Sequence, residues 1–302
     1  MDLQKQNHAA ARWYLVGTLA VSVLLTALRC INLFFFFDSD IGYHTSGAVL
    51  PTLCTVLLIL SIIALGTVSI VFFRKQSFQY REKATPAVRL LGGVCALGFL
   101  SLACLDAMQG ESILAVLFGI GAAVYFLTVA INRANPLLQV LTGLCAILRV
   151  AMALAGSYFN IYVQMNAPDK LYFLLGCIGG MLFLVCELRA TVSSARPILY
   201  RFSASCGILL TAIASLPSVL ATFADRLKND GELPARVVLF FLCLYMTARL
   251  FEVTIQPAVE EAIEEMEITE EAEETEGIPS ADHNDNDDNE GNDYKNDKEE
   301  QA

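Results

Sequence analysis

The chain has 302 residues, 55% of them hydrophobic and only 17% charged, with a mean hydropathy of +0.54. A soluble protein of this length needs more charge to cover its surface, so composition excludes an ordinary pair of soluble domains. The formal net charge of −11 is local: Ala258–Ala302 carries 19 Asp+Glu against 2 Lys+Arg, leaving 12 acids and 18 bases before it.

A helix needs about 20 apolar residues to cross a bilayer core. Eight runs qualify in chain order: Trp13–Phe37, Ala48–Phe73, Val88–Met108, Ser112–Ile131, Leu137–Ala155, Leu171–Cys186, Phe202–Phe223 and Pro234–Phe251. They are continuous rather than alternating, which rejects a strand reading. The sixth and eighth are short for a bilayer and are expected to extend into their polar flanks. The first is long and lacks a small-x-small cleavage site, so it reads as an uncleaved span. The fold class is therefore all-α: a polytopic helical membrane protein of about eight transmembrane helices. Residues 1–256 form the membrane domain and 257–302 an acidic tail.

Orientation follows the Lys and Arg of the short loops. With the N-terminus cytoplasmic, 12 bases fall on the inner side, including Arg74–Arg89, Arg189, Arg196, Arg201 and Arg249. Four fall outside: Lys170, Arg226, Lys228 and Arg236. The expectation is a multi-pass cell-membrane protein with both termini cytoplasmic.

An offset near 120 residues relates Leu24, Leu28 and Arg29 to Leu144, Leu148 and Arg149, and Tyr125 to Tyr245. This suggests a four-plus-four parallel internal repeat, 13–136 and 137–256, with chance likeness among Leu/Ala-rich helices as the alternative.

Arg29 and Arg149 lie within spans, toward the expected outer face. A cation there is costly, so it faces a cavity, pairs with an acid, or snorkels. One reading is a twofold-related cationic pair that binds an anionic ligand. The other is a salt bridge to Asp38, Asp40 or Asp106, or contact with lipid phosphates. Asp106 ends the third span, with Glu111 and Asp225 at similar turns, and reads as a relay acid or a turn acid. Asn160 and Asn166 lie in the polar outer stretch up to Lys170 and are candidate recognition residues. Glu187 is expected to pair with a neighbouring base and fix a helix end. Gly176 and Gly180 form a G-x-x-x-G packing signal, with a similar small face at Ala151 and Ala155. The nine Cys lie in or beside spans without a C-x-x-C and read as inert hydrophobes. The three His make no metal set, and no cofactor is expected.

Residues 257–276 read as a Glu-rich helix and 280–302 as disordered. Asn286–Asp297 loosely matches a calcium loop but lacks its first Asp and last Glu, so low complexity is the better reading. The tail is a candidate contact for the basic loops or a basic protein partner. The bilayer is the other expected partner. An oligomer stays open, and nucleic acid is not expected.

Gln164–Leu171 leading to Glu187-Leu188-Arg189, and the Phe-rich end of the first span leading into Asp38–Tyr43, resemble uncharacterised bacterial multi-pass membrane proteins. The resemblance spans about residues 20–220 and implies no activity. P-loop, H-E-x-x-H and G-x-S-x-G signatures are absent, so an enzyme is not expected. The leading functional expectation is a small-molecule permease, or its membrane subunit, binding an anionic ligand. The alternative is a non-transporting scaffold, sensor or regulator acting through the tail.

Overall fold

The computed structural model describes residues 2–38, 42–45, 47–73, 84–132, 135–161, 167–192, 196–227 and 231–276, with side chains described between residues 11 and 254. Among these, eight helices follow in order: α1 (Asp2–Phe35), α2 (Val49–Phe73), α3 (Pro86–Met108), α4 (Ile113–Ile131), α5 (Pro136–Phe159), α6 (Pro168–Thr191), α7 (Pro197–Phe223) and α8 (Leu233–Glu276). A small antiparallel ladder, β1 (Phe37–Asp38) with β2 (Tyr43–His44), interrupts the α1–α2 connection. All eight helices contain a segment long and apolar enough to cross a membrane. The chain is thus a multi-pass membrane protein by helix length and composition.

Four helices, α3, α5, α6 and α7, start on a proline: Pro86, Pro136, Pro168 and Pro197. Proline suits this position because its fixed φ is helical and its missing N–H would have no intrahelical partner there. The N-cap side chains of these four make no capping hydrogen bond, so the ring is what marks the start. Span ends shift accordingly. The sixth run extends to Pro168–Thr191, and the apolar part of the eighth runs from Leu233 to Thr254. Both extend beyond the apolar runs into their polar flanks, as expected, and are long enough to cross.

α4 stops at Asn132, whose φ of 58° is left-handed and whose N–H returns to the Thr128 carbonyl. The Asn132 amide oxygen also accepts the Ala84 N–H at 3.0 Å. One residue therefore closes α4 and anchors the approach to α3.

Burial is uneven. Within the apolar windows, 67% of α7, 61% of α8 and 56% of α6 are buried inside the protein, against 22% of α2. α6, α7 and α8 form the centre. α1 and α2 pack on α7, while α3, α4 and α5 continue from one another to α6. The expected small-residue signal lies at this centre. A methyl at Gly176 would collide with Ala214 of α7, and one at Gly180 would meet Leu242 of α8 at 3.0 Å. Gly207 of α7 faces the Gly179 carbonyl in return. Such close approach replaces the hydrophobic drive that lipid cannot supply between helices.

The helix bundle belongs to one unit, residues 1–259; residues from Glu260 on form another. In the second unit, helix is described as far as Glu276. Asn286–Asp297 and the rest of the expected disordered segment lie outside the described residues.

Candidate functional site

The α1–α2, α3–α4, α5–α6 and α7–α8 connections share one end of the bundle, called here the hairpin end after β1 and β2. Four helices meet there on one carboxylate. Asp169 is the second residue of α6, where the positive helix terminus favours an anion. Its Oδ1 accepts the Arg29 guanidinium of α1 at 2.7 Å and the Ser218 hydroxyl of α7 at 2.6 Å. Its Oδ2 accepts Arg236 of α8 at 2.7 Å. Arg236 also bonds Glu232, four residues earlier, at 2.7 Å. Aromatic rings cover both guanidinia: Arg29 lies 3.6 Å from the Tyr172 ring centroid and Arg236 5.0 Å from that of Phe173. Cation–π contact and ion pairing together offset part of the desolvation cost.

The set is not saturated. Arg29 and Arg236 are 2% and 4% exposed, yet Arg29 Nε and one terminal nitrogen of Arg236 donate to nothing. Asn32 Oδ1, one turn beyond Arg29, is buried and also lacks a partner. Buried donors and acceptors are nearly always satisfied, so each of these atoms needs a reason. His44 of β2 sits close by, packed edge-on to Phe37. Burial, followed by the positive Arg29 beside it, lowers its pKa below 6.5.

Arg29 ends a longer stripe. Thr18, Ser22, Thr26, Arg29 and Asn32 recur every three or four residues, and all five are buried. That spacing places them on one face of α1. The Thr18 hydroxyl approaches Ser205 of α7 at 3.5 Å, while the Ser22 and Thr26 hydroxyls have no partner. One turn before Thr18, Tyr14 shares a 2.7 Å hydrogen bond with Ser69 of α2. On α7, Thr211, Ser215 and Ser218 are fully buried. The first two return their hydroxyls to the Gly207 and Thr211 carbonyls, while Ser218 turns to Asp169. Pro217 precedes Ser218 inside α7 and cannot donate to the Ile213 carbonyl one turn back.

Arg149 occupies a different place. From α5 it bonds Asp106, in the last turn of α3, at 2.6 Å. Its Nε has no partner. A cavity of about 20 Å³ lies beside it, walled by Phe99, Phe173, Cys177, Ala235 and Leu239 among others. That volume holds one water molecule, and the walls are otherwise apolar. Arg29 and Arg149 therefore do not form a facing pair; each has its own carboxylate, on α6 and α3 respectively. Both guanidinium side chains are buried inside the bundle.

Of the other expected residues, Asn160 caps the end of α5, and its backbone carbonyl accepts the Lys170 ammonium at 3.0 Å. Asn166 lies outside the described residues. Glu111 and Asp225 stand in exposed turns. Four bases counted as loop charges, Lys170, Arg201, Arg236 and Arg249, are on helices and buried. They say nothing about loop charge and drop from both sides of the orientation count.

The opposite end carries its own network. Glu187 of α6 accepts the Tyr200 hydroxyl of α7, the Tyr245 hydroxyl of α8 at 3.3 Å and Arg249 Nε at 2.8 Å. Arg249 also binds Glu252 at 2.7 Å, and Glu252 accepts the Thr85 N–H ahead of α3 at 2.7 Å. The partner expected for Glu187 is thus real, but it comes from another helix rather than from the adjacent chain.

Sequence reasoning missed Asp169 and Arg236 as members of a buried site. Asp169 was assigned to the loop before the sixth run, and Arg236, at the start of the eighth run, was counted with the outer loop bases. Pro168 and Pro234 were the available signal: a proline at a helix start places the next residues in the first helical turn. Among the described residues, no group of three or more His, Cys, Asp or Glu could hold a metal. The nine cysteines are unpaired. No family model, curated protein or solved structure matches the chain.

Proposed function

We propose that this multi-pass membrane protein is a small-molecule permease, or the membrane subunit of one, and that it binds an anionic ligand at the hairpin end. The observation that carries the reading is the pair Arg29 and Arg236. Two buried guanidinia share one carboxylate and each keeps an unused donor. An incoming oxyanion supplies the missing acceptors. The polar stripe of α1 supports the same reading, because buried polar groups within membrane helices mark substrate or ion paths. The present arrangement is closed, since the cavity beside Arg149 admits only water. Ligand access therefore requires helices to move, and Pro217 supplies a weak point in α7 next to Asp169. Arg149 and Asp106 support the site from α5 and α3. Asn160 orders the rim through Lys170, and Asn166 belongs to the same connection. With the hairpin end outside, the ligand is taken from the outer face.

The test is a thermal-shift screen of purified protein against carboxylates, phosphates and zwitterions. A ligand at 100 times its dissociation constant adds about 2.7 kcal/mol. The expected result is a shift with anions that disappears in Arg29→Gln and persists in Arg149→Gln. Equal shifts in wild type and Arg29→Gln would sink the reading. A folded sample that responds to nothing favours a scaffold or sensor, for which the separate acidic unit from Glu260 on is the supporting observation.

A further inference from the structure

At the hairpin end Asp169 holds both Arg29 and Arg236, and Arg236 also holds Glu232. The buried Lys170 ammonium, bonded to the Asn160 carbonyl, follows Asp169 on α6. Asp169 is the group in the way, because an oxyanion that takes over the two guanidinia must displace it. The displaced carboxylate would be left buried without its cations, a costly state away from water, and a proton on it removes that cost.

We infer that Asp169 is an internal stand-in for a small monocarboxylate ligand, and that ligand binding at Arg29 and Arg236 is accompanied by uptake of one proton onto Asp169. The inference rests on the anion-site reading above and names its ligand class and coupling. In the exchange, the hydrogen bonds from Arg29 and Arg236 to Asp169 break, and equivalent bonds to the ligand carboxylate form. One proton converts the Asp169 carboxylate to the acid. One negative charge enters with one positive charge, so the net charge of the cluster is unchanged. The neutral carboxyl keeps a partner, since the Ser218 hydroxyl now at 2.6 Å can accept its proton. A monoanion matches a single proton, whereas a dianion does not. The Tyr172 and Phe173 rings beside the guanidinia suit a ligand with an apolar body.

Among the described residues, several groups lie at or beside Asp169. They are Arg29 on α1, Ser218 on α7, Arg236 and Glu232 on α8, and Lys170 and Tyr172 on α6, with Cys54 and Thr55 of α2 reaching Tyr172 or Arg29. His44 of the hairpin is the remaining group that titrates near neutrality, and its lowered pKa keeps it unprotonated. The hydroxyls of Ser22 and Thr26 continue the stripe from Thr18 toward Arg29 with no bond of their own.

The experiment is calorimetric titration of the full-length protein in detergent with benzoate, in two buffers of different ionisation enthalpy. Sulfate and chloride serve as comparison anions. The expected result is an apparent enthalpy that changes between buffers by the equivalent of one proton per benzoate. The dissociation constant should rise about tenfold per pH unit above the range where Asp169 is protonated. Asp169→Asn should bind benzoate with no buffer dependence and no pH slope, and His44→Gln should keep both. Benzoate binding with the same enthalpy in both buffers overturns the coupling while leaving the anion site standing. Loss of the slope in His44→Gln overturns the assignment to Asp169. Absence of binding by any anion, in heat and in thermal shift, overturns the anion site itself and the inference with it. The wild-type buffer comparison decides the coupling even if Asp169→Asn does not fold.

Discussion

The Glu187 and Asp169 networks, at opposite ends of the bundle, handle buried charge in opposite ways. At the Glu187 end, one guanidinium is held by two carboxylates, with two tyrosines and a backbone N–H completing their valences. None of those side chains keeps a buried atom without a partner. At the hairpin end, two guanidinia draw on Asp169, and donors on both remain idle. A saturated network holds helices in place and gives a ligand nothing to gain. An unsaturated one is a standing cost, retained where it has a use. The contrast supports the proposed reading, in which one network anchors helices and the other exchanges partners.

The contrast can be broken most sharply at the two shared carboxylates. Glu187→Ala removes one of the two carboxylates of Arg249 and the acceptor of two tyrosines, and should lower unfolding stability by about 3–5 kcal/mol, with no recovery in any anion. Asp169→Ala should cost a similar amount, because it strands Arg29 and takes one of the two carboxylates of Arg236. Acetate should restore much of that loss by taking the vacated position, as read from melting temperature with and without acetate. Equal acetate responses at the two ends would erase the distinction. The Arg149–Asp106 pair is a smaller probe, since the Asp106 side chain is 12% exposed and partly screened. Arg149→Met alone should cost about 2 kcal/mol, and adding Asp106→Leu should return most of it. Failure of the second change to compensate would show that Arg149 holds something besides Asp106.

Between the ends, Gly176→Ala tests whether the small-residue contact with α7 sets helix spacing. The methyl has no room beside Ala214, so a loss of about 1–2 kcal/mol is expected on thermal unfolding. The smallest effect is expected from His44. Its folded pKa lies below its unfolded value of 6.5, so the unfolded chain binds the proton more tightly. Its stability contribution is complete above about pH 6.5 and fades as pH falls toward the lowered value. A melting-temperature profile should show this loss in wild type and not in His44→Gln.

Much of the architecture was legible from apolar runs alone, because a span of continuous Leu, Ile, Val and Ala admits few structures besides a membrane helix. Span ends were less legible. Hydropathy falls at Pro168-Asp169-Lys170 and at Pro234–Arg236, so residues that the helix places inside the bundle resembled loop residues. Arg29 and Arg149 were visible as anomalies, since an Arg inside an apolar run demands a partner. Which partner was not visible. Asp169 lies 140 residues from Arg29 in sequence, and only the packing of α1 beside α6 and α7 brings them together. The likeness of the two arginines at an offset near 120 suggested equivalent roles. Their carboxylates sit on different helices and in different turns, a distinction that one-dimensional spacing does not carry.

The burial gradient bears on how the chain enters the bilayer. α2 is the most apolar of the eight spans and among the least covered by protein, while α8 is the least apolar and nearly the most covered. α2 can partition into lipid unaided. α8 brings Arg236, Arg249 and Glu252, and a charged residue at a helix centre costs about 2.5–3.5 kcal/mol on insertion scales. Its carboxylate partners on α6, Asp169 and Glu187, are synthesised earlier in the same chain. The acceptors are thus in the membrane before the donors leave the ribosome. The last helix is drawn in by sites the earlier ones have already built, which makes translocation of α8 a checkpoint on the folding of everything before it.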